Sequence, residues 1–172
     1  MEKLKYENFD EAYALFENAF VPAELRCYNQ MKELFLQNKF VIYEYRKDIQ
    51  LIGAMIVWEF NECIYLENFA VASSMRNQGI GSFFMKQIKD MYPNHLIVLE
   101  VEEPVDSLST RRVDFYQRHH FKLNPFHYIQ PALRENADKV HLMLMSYPDC
   151  MHNEKYQHIK KILFKEVYNQ EV

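Results

Sequence analysis

Phe69-Ala70-Val71-Ala72-Ser73-Ser74-Met75-Arg76-Asn77-Gln78-Gly79-Ile80-Gly81-Ser82 is the stretch on which the reading of this chain turns. The apolar run stops at Val71, a polar loop follows, and Ile80, Phe83, Phe84, Ile88 and Met91 then recur at helical spacing. The order is strand, loop, helix. The 172 residues include only three glycines, where average usage of about 7% would give roughly 12, and two of the three are Gly79 and Gly81. A chain that nearly dispenses with glycine and sets two in one loop needs bare backbone there. The first turn of a helix has unpaired N–H groups and the positive end of the helix dipole, so it attracts anions. Arg76 adds a permanent positive charge beside it. The plain alternative is a tight strand-to-helix turn that binds nothing, and the scarcity of glycine elsewhere argues against it.

Upstream of the loop, strand-like stretches at 39–45, 51–60 and 63–71 are joined by turns at 48–50 and 61–62, which makes an antiparallel meander. Two helices precede it. One spans 8–20, with Phe9, Ala12, Tyr13, Phe16, Ala19 and Phe20 at i, i+3, i+4 spacing; the other opens at Pro22 and ends near Asn38. Downstream, Pro93 stops the helix that began at Ile80, and 96–101 is almost continuously apolar, as in a strand covered on both faces. A helix crossing between two such strands implies a parallel pair. A helix at 110–119, strands at 121–130 and 140–146 with a polar stretch at 134–139 between them, and an amphipathic helix at 156–167 complete the pattern. The expected class is α/β or α+β, with helices on both faces of the sheet.

Composition narrows the function. With 49% hydrophobic and 26% charged residues the chain has ordinary globular values, and 172 residues suit one domain. A net charge of -4 argues against a phosphate-backbone footprint, so no nucleic-acid partner is expected. Three cysteines without a close pair and seven histidines without paired spacing offer no metal site and suit a reducing compartment. No apolar run approaches the roughly 20 residues of a membrane helix, and no apolar core follows the N-terminal Met1-Glu2-Lys3-Leu4-Lys5. A cytoplasmic protein without membrane or metal is the expectation.

Three glycine-loop ligands have to be separated. A dinucleotide fingerprint needs a third glycine where Phe84 stands, and a phosphate-binding P-loop needs Lys and Ser or Thr after Gly81, where Ser82 and Phe83 stand. What remains, Arg76-x-x-Gly79-x-Gly81 between strand and helix, resembles the pyrophosphate loop of the GNAT superfamily of N-acetyltransferases. The likeness extends over nearly the whole chain. Residues 65–71 are similar to that family's fourth strand, 96–101 to its fifth, and Arg112-Val-Asp-Phe-Tyr116-Gln-Arg-His-His-Phe121 to its helix ending in Tyr-x-x-x-Gly-Phe.

The resemblance implies one domain over 1–172, with the helix at about 152–170 as an extension. The sheet would be mixed and mostly antiparallel, of six to seven strands, with a central parallel pair that splays apart around acetyl-CoA. Phe69, Ala70 and Val71 would offer backbone groups to the thioester and pantetheine, and the amides of Gln78, Gly79, Ile80, Gly81 and Ser82, with Arg76 and Asn77, would hold the pyrophosphate. Tyr116 would be the general acid at the sulfur. Glu67 is the expected base, on the strand face of Tyr65 and Phe69 by period-2 geometry. Glu100 and Glu102 are its rivals. Two departures stand out: Ser109 replaces an asparagine that contacts pantetheine, and His120 replaces the glycine before Phe121, where a positive φ would strain a side chain. The implied activity is transfer of an acetyl group to a primary amine of a small molecule or peptide, by direct attack in a ternary complex. A non-catalytic acyl-CoA-binding or regulatory module is the alternative. The acceptor is placed near residues 20–22, Tyr128, Gln130 and Pro131, and the apolar face of the last helix fits either the core or a homodimer.

Overall fold

The computed structural model describes residues 1–134 and 140–170. The expected polar stretch at 134–139 therefore lies, apart from Arg134, outside the described residues. In chain order the elements are β1 (Glu2–Lys3), α1 (Phe9–Ala19), α2 (Tyr28–Phe35), β2 (Phe40–Lys47), β3 (Gln50–Glu59), β4 (Ile64–Val71), α3 (Ile80–Met91), β5 (Ile97–Glu102), α4 (Ser107–Arg118), β6 (Lys122–Gln130), β7 (Val140–Tyr147) and α5 (Asn153–Ile162). The strands form one seven-stranded sheet in the order β1-β2-β3-β4-β5-β7-β6. Every pairing is antiparallel except β4 with β5, the pair joined through α3. The mixed, mostly antiparallel sheet with one parallel pair is the architecture the sequence pattern implies.

The sheet divides the interior in two. On one face Phe9, Ala12 and Phe16 of α1, Met31 of α2, and Tyr156 and Ile159 of α5 pack against Ile42, Ile56 and Val98. On the other, Phe84, Met85 and Ile88 of α3 and Val113 and Tyr116 of α4 pack against Val57, Leu66 and Leu99. Each large apolar side chain so buried stabilises the fold by about 1.5–3 kcal/mol. The last helix spends its apolar face here: Tyr156, Ile159, Leu163 and Val167 are all buried in the first of these cores.

Three local features depart from the sequence pattern. The second helix does not run from Pro22; a 3-10 turn at Pro22–Glu24 is followed by an extended Leu25, and α2 starts only at Tyr28. The break lets Leu25 enter the core and carries Arg26 inside, where only 8% of it is exposed. The second feature is a bulge in β4. Leu66 pairs with Val57 and Asn68 with Ile56, which leaves Glu67 as an extra residue. One added residue reverses the faces, so Tyr65 packs with α1 and α5 while Phe69 packs with Phe84 of α3. The expectation that Tyr65 and Phe69 share a face is corrected by this bulge. Third, the turn before Phe121 keeps its left-handed conformation with a histidine in place: His120 has φ 67°.

Candidate active site

The bulge at Glu67 sits where β4 and β5 part. Their parallel pairing covers only Ile64 with Ile97, Tyr65 with Val98 and Leu66 with Leu99. Beyond Leu66 the side of β4 that faces β5 has no partner strand, so main-chain groups from Phe69 to Val71 are left open. Strand backbone with no partner requires one from elsewhere. A cavity of about 770 Å³ occupies the gap and reaches both faces of the sheet, from Ala19 and Phe20 at the end of α1 to Phe115 and Tyr116 of α4.

One end of this cavity is the glycine loop. After a 3-10 turn at Ser73–Met75, Asn77 (φ 60°) and Gly79 (φ 78°) take left-handed conformations that aim the chain into α3. Gly79 is the N-cap of α3, and no side chain caps that helix. Its first-turn amides are therefore free to meet an anion. A Cβ on Gly79 would meet nothing within 4 Å, so glycine is needed there for its backbone angle and leaves an open surface. At Gly81 the requirement is space: a Cβ would come within 3.0 Å of the Phe115 ring. Arg76 donates from Nε to the carbonyl of Val71 at 3.2 Å, which holds its guanidinium at the loop. Phe69, Ala70, Val71, Arg76, Asn77, Gly79, Ile80, Gly81 and Ser82 all line the cavity. The side chain of Gln78 instead donates to the carbonyl of Ser74 at 3.0 Å, and Gln78 does not line it. Free amides, a guanidinium and an unpaired strand edge in one groove fit a diphosphate carrying a long amide-bearing arm.

Tyr116 lines the middle of the cavity, buried between Phe115 and Phe121. Burial pushes its phenol up to about 12, against a smaller opposing effect of the Arg112 charge, so the hydroxyl keeps its proton at neutral pH. Ser109, at the position of the missing asparagine, is committed to α4: its amide and its hydroxyl both donate to Asp106 Oδ1, at 2.8 and 2.9 Å. It caps the helix and does not line this cavity.

The carboxylates are in contrasting situations. Glu67 lines the cavity, but its side chain is only 3% exposed and both oxygens are engaged. Arg26 Nε donates to Oε1 at 2.8 Å, and the Trp58 indole N–H donates to Oε2. Glu100 also lines the cavity. Its Oε2 accepts from the Tyr168 hydroxyl at 2.6 Å and from Gln130 Nε2 at 2.8 Å, while Oε1 is buried without a partner among the described residues. Burial pushes Glu100 up to about 7; the hydrogen bonds from Tyr168 and Gln130, with the nearby Tyr65 hydroxyl, act in the opposite direction. Glu102 pairs with Arg112 at 3.0 Å, half-exposed and off the cavity. Of the residues expected around the acceptor, Phe20 lines the cavity and Gln130 touches Glu100, whereas Tyr128 and Pro131 do not line it.

Arg26, Trp58 and Tyr168 escaped the sequence reading. For Arg26 and Trp58 no spacing rule marks them. The signal for this cluster was Glu100 itself, a lone acid inside the apolar run 96–101, since an isolated buried charge is costly unless it has a role.

A mixed sheet with one parting parallel pair and a glycine loop at the start of a helix define the class of fold, and comparison with known proteins names the family. Residues 9–121 match the Acetyltransferase (GNAT) family, and the chain belongs to it. A structure from Bacteroides thetaiotaomicron, ascribed to the same family, superposes with a TM-score of 0.87 at 31% identity, covering 94% of this chain and 92% of that one. YjbC of Bacillus subtilis (strain 168), ascribed acetyltransferase activity, is 37% identical over 81 residues, which span 45% of this chain and 41% of that protein. The ribosomal-protein-S18-alanine N-acetyltransferase of Escherichia coli shares the fold, with a TM-score of 0.65 at 15% identity over 89% of this chain and 95% of that one. Acetyl transfer is the activity this membership supports. Among the described residues no helix is long and apolar enough to cross a membrane, and no cluster of ligating side chains could hold a metal ion.

Proposed function

We propose that this chain is a cytoplasmic, acetyl-CoA-dependent N-acetyltransferase acting on a primary amine of a small molecule or peptide, in a ternary complex and without metal. A single observation carries the reading: one cavity brings together the uncapped start of α3, the phenol of Tyr116 and the carboxyl of Glu100. The amides of α3 and Arg76 would hold the diphosphate, and the open edge of β4 at Phe69, Ala70 and Val71 would hold the pantetheine arm. An alkylammonium, with a pKa near 10.4, must lose a proton before its nitrogen can attack. Glu100 accepts that proton, since its Oε1 is unclaimed and its pKa lies near the working pH. The neutral nitrogen then attacks the thioester carbonyl; the C–N bond forms, the C–S bond breaks, and the departing sulfur takes the proton of Tyr116. The second proton of the attacking nitrogen returns to that phenolate, leaving a neutral amide and a thiol, while Glu100 gives its proton to solvent. Glu67, the base expected from the sequence, is better suited to holding Arg26, because both its oxygens already accept hydrogen bonds. Three free cysteines accord with a reducing compartment.

Calorimetric titration with acetyl-CoA, followed by a thiol-release assay over polyamines, aromatic monoamines and short peptides with a free N-terminus, tests the proposal. Binding with release is expected. In Glu100→Gln, release falls at least about 100-fold with acetyl-CoA affinity retained. Binding without release across the panel would instead make the chain an acyl-CoA-binding module, and undiminished release in Glu100→Gln would remove Glu100 from the chemistry.

A further inference from the structure

The end of α5 does more than close the core. Past Ile162 the helix widens into a π-helical turn, Leu163–Val167, and the hydroxyl of the next residue, Tyr168, reaches Glu100. A π turn adds a residue to one helical turn and re-aims the side chains after it, and such turns recur at functional sites. The same turn touches the second carboxylate through a cation: the carbonyl of Val167 accepts from Arg26 Nη2 at 2.8 Å, and Arg26 Nε holds Glu67. Tyr168 is itself held by the Tyr65 hydroxyl of β4 at 3.1 Å and by Gln130 Nε2 of β6 at 2.8 Å. Both acids of the cavity are thus tied to one turn some 70 to 100 residues away in sequence. Loops and elements far apart in a chain converge in this way where a side chain must be held in one rotamer.

Resting on the assignment of Glu100 as proton acceptor, we propose that Tyr168 is a positioning residue for the acetyl transfer. Its hydroxyl, with Gln130, occupies Oε2 of Glu100 and so leaves Oε1, buried and without a partner among the described residues, as the oxygen with no other hydrogen bond to give up. Tyr168 touches neither the thioester nor the amine. The groups facing Glu100 are Tyr65 and Glu67 from β4, Gln130 from β6, Tyr156 from α5, and Tyr168 itself; its opposite number across the strand pair, Leu144 of β7, is apolar. Of these, Glu67 and burial oppose the charged carboxylate, and the donors Tyr168, Tyr65 and Gln130 favour it. Removing the Tyr168 hydroxyl takes away a hydrogen bond to the ionised form, so the carboxyl must hold its proton to higher pH.

Carboxyl-selective carbon-13 NMR, with side-chain-labelled glutamate, reads this without any acceptor. The Glu100 resonance is identified by its disappearance in Glu100→Gln, and its midpoint is followed in wild type and Tyr168→Phe. An upward shift of about one pH unit is expected, the size of one lost hydrogen bond to a charged group. At pH 7 the ionised fraction, and with it thiol release in the presence of the fastest amine of the panel above, falls about fivefold and recovers as the pH is raised. A tyrosine that merely filled space would leave the midpoint in place; an unmoved midpoint in folded Tyr168→Phe, judged by unchanged circular dichroism, overturns the proposal. Should Tyr168→Phe fail to fold, Gln130→Met removes the companion donor and must shift the midpoint in the same direction, or the proposal falls. Loss of the proposed chemistry reads differently: Glu100→Gln would then keep its turnover whatever Tyr168→Phe does to the midpoint.

Discussion

Tyr116 is a phenol whose environment suits it to one half of a proton transfer. Burial raises it to about 12, so it stands protonated at neutral pH, as the proposed general acid must. Tyr116→Phe keeps the ring packed between Phe115 and Phe121 and removes only the proton. The expected result is a loss of about 100-fold or more in kcat with acetyl-CoA affinity unchanged within about twofold, measured by thiol release and calorimetry on the same preparation. A variant that turns over like wild type would show that the sulfur departs without this proton. Both Tyr116 and the carboxylates were legible in the sequence as candidates, because Tyr116 stands five residues before Phe121 and the acids interrupt apolar strands. Which acid is free was not legible. That depends on Arg26 and Trp58 arriving at Glu67 from the segment before α2 and from β3, and on Tyr168 arriving at Glu100 from the other end of the chain.

At the level of elements, the start of α3 and the parting of β4 from β5 make the groove. The loop could be read directly, since a residue at φ 78° in a chain short of glycine announces itself as Gly79. The bulge at Glu67 could not. A strand with one extra residue has no composition of its own, and strict alternation puts Phe69 on the wrong face. The loop also gives a clean test. Alanine at Gly79 would meet no neighbour within 4 Å, so any effect comes from backbone strain alone, about 1–2 kcal/mol for a left-handed non-glycine residue. Relief of that strain turns the amides of Ile80 and Gly81 away from their common anion. Gly79→Ala is therefore expected to weaken acetyl-CoA binding about tenfold in calorimetry while the far-ultraviolet circular dichroism is unchanged. Equal affinity in the two proteins would mean that the α3 amides are not what grips the diphosphate.

For the molecule as a whole, the order of strands and helices followed from hydrophobic period, because each amphipathic face finds a core on one side of the same sheet. The two-residue β1 was too short to leave a pattern, and the break before α2 is imposed by the burial of Leu25 and Arg26. The buried cluster joining β3, β4, β5, β6, the segment before α2 and the end of α5 also bears on the stability of the entire fold. Glu100 ionises near 7 in the folded chain and at about its ordinary 4.5 when unfolded. Between those values the folded state holds a proton that the unfolded state has released. Stability contributed by the neutral carboxyl is full below about pH 4.5 and is lost as the pH rises towards 7, a decline of about 3 kcal/mol. Glutamine cannot ionise, so Glu100→Gln lacks this decline while still accepting from Tyr168 and Gln130 through its amide oxygen. Urea unfolding of both proteins at pH 5 and pH 8 is expected to show wild type losing on the order of 2–3 kcal/mol more than the variant over that interval. Most groups titrate alike in the two proteins, so the difference isolates Glu100. In a chain whose margin is only about 5–15 kcal/mol such a cost is a large share, and parallel losses would show that Glu100 ionises as freely inside the fold as outside it.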